Sequence, residues 1–266
     1  MTGPRITPAI DNLETTWRSI DELCSSFTDA EWKRPSGCPG WTVQDNLSHL
    51  VDYESRALGR PGPDHTPADL SHTKNPIGES NEVGVDHRRQ YPGATVLDEF
   101  REVTSARLAQ LDALTQDDLA SETMTPIGPG TVADMLRLRV MDTWSHEQDI
   151  RRAVGRPGHE DGAAVEQAVG YLAQFLPLIV GKRAGAPDGA IVAFAVGDVY
   201  RSVIEVVAGR AAVSERDAAD ATVALEMSPS TFAALVGGRS DAPDDVRITG
   251  DETLGRAIVA QLGFLP

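Results

Sequence analysis

Residues 131–157 read TVADMLRLRVMDTWSHEQDIRRAVGRP. Thr131 with Asp134 three positions on fits a capping box. The threonine oxygen accepts from a free backbone N–H, and the acid sits in the first turn, where the helix dipole favours it. Gly155 and Pro157 supply the stop, a glycine past the last turn and a proline beyond it. The pattern predicts a helix over about 131–154. Inside it Asp142 and His146 stand four apart, so both side chains leave one face.

The same start signal recurs upstream. Thr42-Val43-Gln44-Asp45 and Thr95-Val96-Leu97-Asp98 predict helices over about 42–58 and 95–114. A fourth helix, about 7–27, opens on Thr7-Pro8, a cap residue followed by proline at the first helical position. Its apolar residues Ile10, Leu13, Trp17, Ile20, Cys24 and Phe27 recur at spacings of three and four, which makes one buried stripe. Four such helices predict an all-α four-helix bundle over residues 1–157. Gly59 to Gly93 holds five prolines and reads as an extended crossover, long enough to let two consecutive helices run parallel.

The pattern changes near Gly158. A helix is expected over about 163–181, kinked or ended by Pro177. Ala190–Val196, Tyr200–Val207 and Ala221–Met227 read as strands, the first two joined by a hairpin turn at Gly197-Asp198. A short helix over 229–236, a strand at Val246-Arg247-Ile248 and a last helix over about 251–262 complete a smaller α+β domain, residues 158–266.

Composition narrows the function. The 266 residues carry 24 Lys+Arg against 40 Asp+Glu, a net charge of −16, so neither nucleic acid nor an anionic membrane is the expected partner. No uninterrupted apolar run reaches the roughly 18 residues of a membrane span, and MTGPRITPAIDNLE lacks the apolar core of a signal peptide. Two cysteines make no disulfide framework. A cytoplasmic protein is expected. Only 3 of the 24 basic residues are lysine (Lys33, Lys74, Lys182), a skew of the kind GC-rich coding produces.

The chemistry centres on histidine. Asp142 and His146 share a helix face, and His49 is the other histidine on a helix of the predicted bundle. Together they would make an N/N/O set in a bundle core, with a fourth position open as in catalytic zinc sites. The competing reading is ordinary: an Asp-x-x-x-His pair recurs by chance, and helical histidines are commonly solvated or satisfied. Asp149 is either an outer partner orienting a ligand or half of a helix-surface ion pair. His65, His72, His87 and His159 read as loop or surface residues. Cys24 lies on the core stripe. Cys38, in SGCPGW ahead of a helix, is either a turn thiol or one whose pKa the helix end lowers. No phosphate-binding glycine loop and no Gly-x-Ser-x-Gly elbow occurs.

Two motifs resemble a known family. Cys38-Pro39-Gly40-Trp41-Thr42-Val43-x-Asp45-x-Leu47-x-His49-Leu50 is similar to the opening of the second helix in the mycothiol-dependent maleylpyruvate isomerase group, part of the DinB-like (YfiT-like) metalloenzyme superfamily. Asp142-x-Trp144-x-His146-Glu147-x-Asp149-Ile150-Arg151 with Gly155-Arg156-Pro157 resembles its second signature. The resemblance covers about residues 8–157. It implies an up-down-down-up bundle with metal ligands at His49, Asp142 and His146. Asp142 stands where the described isomerase has glutamate. MSPSTFAALVGG and VRITGDETLGRAIV more weakly resemble the sterol carrier protein type 2-like domain often attached to this bundle.

The resemblance implies a divalent metal, zinc or nickel, and mycothiol, the low-molecular-weight thiol of actinobacteria. The reaction would be isomerisation of the maleylpyruvate type or S-transfer to a small electrophile. An organic-acid substrate would need an arginine partner. Arg139, one turn from Asp142, is one candidate; Arg247 is the other, with Arg239 its neighbour in the C-terminal part. Two alternatives stand beside this reading: a hydrolase using metal-bound water, and a non-catalytic metal- or small-molecule-binding regulator on the same scaffold.

Overall fold

The computed structural model describes residues 5–239 and 245–264. The chain divides into two compact units, one ending at Gly158 and the other running from His159. The first is helical. Its long helices are α1 (Pro8–Cys24), α3 (Val43–Ala57), α5 (Gly93–Asp112) and α7 (Val132–Val154), with short α2 (Asp29–Trp32), α4 (Pro76–Arg88) and α6 (Gln116–Ala120) between them.

The capping chemistry is as the sequence reads at three of the four long helices. Thr42 and Thr131 each accept from the backbone N–H three residues on, while Asp45 and Asp134 reach back to the cap residue; Thr7 caps Ala9 ahead of Pro8. Gly155, left-handed at φ 68°, ends α7. The fourth differs. Pro92, three residues before Thr95, takes the cap position of α5, and the Thr95 N–H already bonds the Pro92 carbonyl, so Thr95 lies inside the helix and caps nothing.

The expected crossover also contains a helix. Asn75 accepts from the N–H groups of Ile77 and Gly78, Pro76 takes the first helical position, and α4 follows. Its residues repeat no apolar stripe, so periodicity alone passes over it. A small antiparallel hairpin, β1 (Glu122–Thr125) with β2 (Gly128–Thr131), leads into α7. Its strands, ETMT and GPGT, carry no apolar alternation that would announce it.

α3 is the hub of this unit, packing on α4, α5 and α7, while α1 packs on α5 and α7. Ile10, Leu13, Ile20, Leu47, Leu50, Val51, Phe100, Val103, Leu136, Val140 and Ile150 form the buried core.

In the second unit a five-stranded sheet has the order β5-β4-β3-β6-β7. β3 (Ile191–Val196), β4 (Tyr200–Val207) and β5 (Arg210–Ser214) form a meander; β6 (Val223–Met227) returns parallel to β3, and β7 (Arg247–Gly250) closes the other edge. Gly197, at φ 50°, supplies the β3–β4 turn. Val192, Phe194, Val196, Ile204, Val206 and Leu225 are the buried side of the sheet. α8 (Ala163–Ala173) packs on β4 and on α10 (Pro229–Val236), and α11 (Glu252–Val259) packs on β6 and β7. The expected helix 163–181 breaks: α8 stops at Ala173, α9 (Leu176–Leu178) contains Pro177, and a π turn follows over Ile179–Arg183. By length and composition Ala163–Arg183 passes as a candidate membrane span, although Glu166, Gln167 and Gln174 interrupt its apolar run; half of the apolar window is buried in the unit.

Candidate metal centre

Two helices and one turn build the site. α3 presents His49, α7 presents Asp142 and His146, and the turn before α3 brings Cys38 and Trp41. Both histidines are buried, and one quarter of the Asp142 side chain is exposed. His49 Nε2 lies 3.3 Å from Asp142 Oδ2, and His146 Nε2 lies 3.7 Å from Asp142 Oδ1. The three ligand atoms all lie within 4.8 Å of one another. Donors about 2.0–2.2 Å from a tetrahedral ion sit roughly 3.3–3.5 Å apart, so this set needs little closure to hold one. Two imidazoles and a carboxylate are also the donor chemistry that zinc and nickel accept.

Electrostatics act on two of the donors. Burial lowers the His49 pKa, outweighing the raising effect of Asp142, so the imidazole stays neutral. Burial alone would raise Asp142, but the Arg139 charge, with the His49 hydrogen bond, holds its carboxyl well below the ordinary value.

Trp41 walls the site, its ring 5.4 Å from that of His49 and 5.7 Å from that of His146. The indole N–H donates to Glu82 Oε2 at 2.9 Å, which ties Trp41 to α4. His72 also meets Glu82 Oε2, at 3.1 Å, and its ring fills the space beside Gly40. His65 pairs with Asp86. Neither linker histidine joins the donor set.

Arg139 is 2% exposed, with Nε donating to Glu54 Oε1 at 3.0 Å and Nη1 to Asp142 Oδ2 at 2.6 Å. Its guanidinium lies 3.5 Å from the centre of the Tyr53 ring. Arg107 bonds the other Glu54 oxygen at 3.2 Å. Arg247 lies on β7 of the second unit, exposed, with Glu226 at 3.3 Å. Arg239 donates to the Gly237 carbonyl.

Two partners behind the ligands have no counterpart in the sequence analysis. Asn46 Oδ1 is 2.9 Å from His146 Nδ1, and Glu54 anchors Arg139. Asn46 carried a signal, standing three before His49 and so near the same face of α3, whereas Glu54, five after His49, lies about 140° round the helix and carried none.

A helical unit whose second and last long helices converge on two histidines and an aspartate defines the class. The family model for the mycothiol maleylpyruvate isomerase N-terminal domain matches residues 13–151, and the chain belongs to this family. Two uncharacterised proteins from two strains of Mycobacterium tuberculosis are 27% identical over 150 residues, covering 56% of this chain and 57% of theirs. The match thus spans little more than half the length of these relatives. A crystal structure of the mycothiol-dependent maleylpyruvate isomerase is similar with a TM-score of 0.56 at 16% identity, covering 91% of each chain. A histidine-to-alanine mutant of that isomerase gives 0.53 at 15%, again over 91% of each. At such identities the likeness is one of fold.

Proposed function

We propose that the chain is a metal-dependent enzyme that uses mycothiol on a small electrophile, as a maleylpyruvate-type isomerase or a mycothiol S-transferase. The observation that carries this reading is the convergence of His49, Asp142 and His146 in a member of this family. The architecture belongs to the same reading: residues 1–157 as a DinB-like four-helix bundle, up-down-down-up, and 158–266 as a sterol carrier protein type 2-like domain.

A divalent ion, zinc or nickel, held by those three side chains would leave a position at which a thiol is kept as thiolate near neutral pH. The chain's own residues do the rest. His49 stays neutral and available because it is buried. Arg139 steadies Asp142 and, with both guanidinium edges engaged, is better placed for that than for a substrate carboxylate. Arg247, exposed on β7 beside Glu226, is the other candidate for a substrate carboxylate. Trp41 excludes water from one side of the histidines. A cytoplasmic, actinobacterial setting fits a mycothiol-using protein.

The test is metal content followed by thiol dependence. Purified protein is expected to hold about one divalent ion per chain, and His49→Ala or His146→Ala to lose most of it while far-UV circular dichroism stays helical. With mycothiol and a panel of electrophiles that includes maleylpyruvate, isomerised product or a mycothiol adduct is expected. Turnover indifferent to the thiol would favour a metal-water hydrolase instead; a metal-free, inert protein would favour a regulator.

A further inference from the structure

His146 has two faces. Its Nε2 side looks toward Asp142 and His49. Its Nδ1 side meets a second buried cluster: Asn46 Oδ1 at 2.9 Å, Asp149 Oδ2 at 3.2 Å and Cys38 Sγ at 4.0 Å. We infer that Asn46 and Asp149 are positioning residues that lock His146 in the Nδ1–H tautomer, turning the Nε2 lone pair toward Asp142 and His49, with the Cys38 thiol as an additional donor to their oxygens.

The hydrogen-bond inventory drives this assignment. The Asn46 amide nitrogen donates both its hydrogens, to Ser36 Oγ and to the Thr42 carbonyl, each at 2.9 Å. Flipping the amide would set its oxygen against the Thr42 carbonyl, two acceptors face to face. The Asn46 oxygen must therefore face His146, and an acceptor there requires a proton on Nδ1. Asp149 presents another acceptor to the same nitrogen, while its far oxygen takes a bond from Arg152. The single Cys38 S–H has two acceptors within reach, Asp149 Oδ2 at 3.1 Å and Asn46 Oδ1 at 3.4 Å, and donates to one of them at a time.

Cys38, His146 and Asp149 also lie close enough together to suggest a second metal site. Asn46 argues against it. Its oxygen is within hydrogen-bond reach of both the thiol and Nδ1, so it occupies the room an ion would need, and the proton on Nδ1 blocks the lone pair. The cluster is a hydrogen-bond array that serves the other face of the ring. Outer partners of this kind commonly alter metal affinity 10- to 100-fold.

The affinity consequence rests on the metal reading above; the tautomer does not. The full-length chain is examined two ways. Long-range ¹H–¹⁵N correlation of metal-free protein, with His146 assigned through His146→Gln, is expected to show a protonated Nδ1 and a bare Nε2. Zn²⁺ affinity is then measured by competition with a chromophoric chelator. Asn46→Leu and Asp149→Asn are expected to bind about 10- to 100-fold more weakly than the parent, and Cys38→Ser, which keeps a donor, within about threefold. An Nε2–H tautomer in the parent overturns the proposal whatever the metal data. So does parent-like Zn²⁺ affinity in folded Asn46→Leu and Asp149→Asn. If the parent itself binds no Zn²⁺, the metal reading fails, and the tautomer in parent and variants still decides the positioning role.

Discussion

Arg139 shows how much of the site is held by residues that need never touch a substrate. Its charge lies among Glu54, Asp142 and the Tyr53 ring, fully desolvated. Replacing both members of such a pair with apolar groups can be nearly neutral, but removing one leaves the other charged and buried. Arg139→Met is therefore expected to cost about 3–5 kcal/mol in urea unfolding, toward the low end because Arg107 still reaches Glu54. A loss under about 1 kcal/mol would mean that Glu54 finds water or another partner. The neighbourhood was partly legible from sequence. Asp142, His146 and Arg139 lie on one helix, and their shared face follows from spacing. Glu54 and Asn46 come from α3, and which of its polar residues meet α7 depends on how the two helices pack.

The long helices α3 and α7, each headed by a threonine cap with a matching acid, were legible within about two residues, because that chemistry is local, whereas the same boxes at α2 and α6 head helices too short to show an apolar period. α5 and α4 mark the limit: at one a proline pre-empted a plausible capping box, and at the other a helix formed with no apolar stripe to announce it. α4 is held instead by buried polar contacts. Gly84 lets it approach Asp52, whose carboxylate pairs with Arg56 and Arg88. A methyl group at Gly84 would collide with that carboxylate. Gly84→Ala is thus expected to be destabilising, since overpacking costs of about 1–3 kcal/mol outweigh the gain of roughly 1 kcal/mol from better helix propensity. Gly170→Ala in α8, where nothing lies within 4 Å, is expected to gain about 0.5–1 kcal/mol. Urea midpoints of the two variants should move in opposite directions; a stabilised Gly84→Ala would show that Asp52 can swing away.

The two units are each compact, and their junction falls at Gly158, just after the glycine and proline that stop α7. Among the described residues, the buried core of the first unit draws only on positions before that point. A fragment ending at Gly158 is therefore expected to fold alone, keeping a helical circular dichroism spectrum, a cooperative thermal transition and the parent's metal stoichiometry. Limited proteolysis of the full chain should cut within 59–75 or 155–162, and spare 76–88, where α4 stands. An unfolded fragment would show that the helical unit depends on the rest of the chain.

Sequence alone determined the long helices, most strands, the Asp142–His146 face and the family motifs, because caps, turn residues and apolar periods act within a few positions of themselves. Only the tertiary structure decided that Asn46 and Glu54 stand behind the ligands. Asn46 and His146 are 100 positions apart, and Glu54 and Arg139 are 85. No local rule relates residues so distant. Their meeting is set by the packing of α3 against α7, and burial there makes each of those hydrogen bonds matter: a polar group cut off from water must find its partner in the protein.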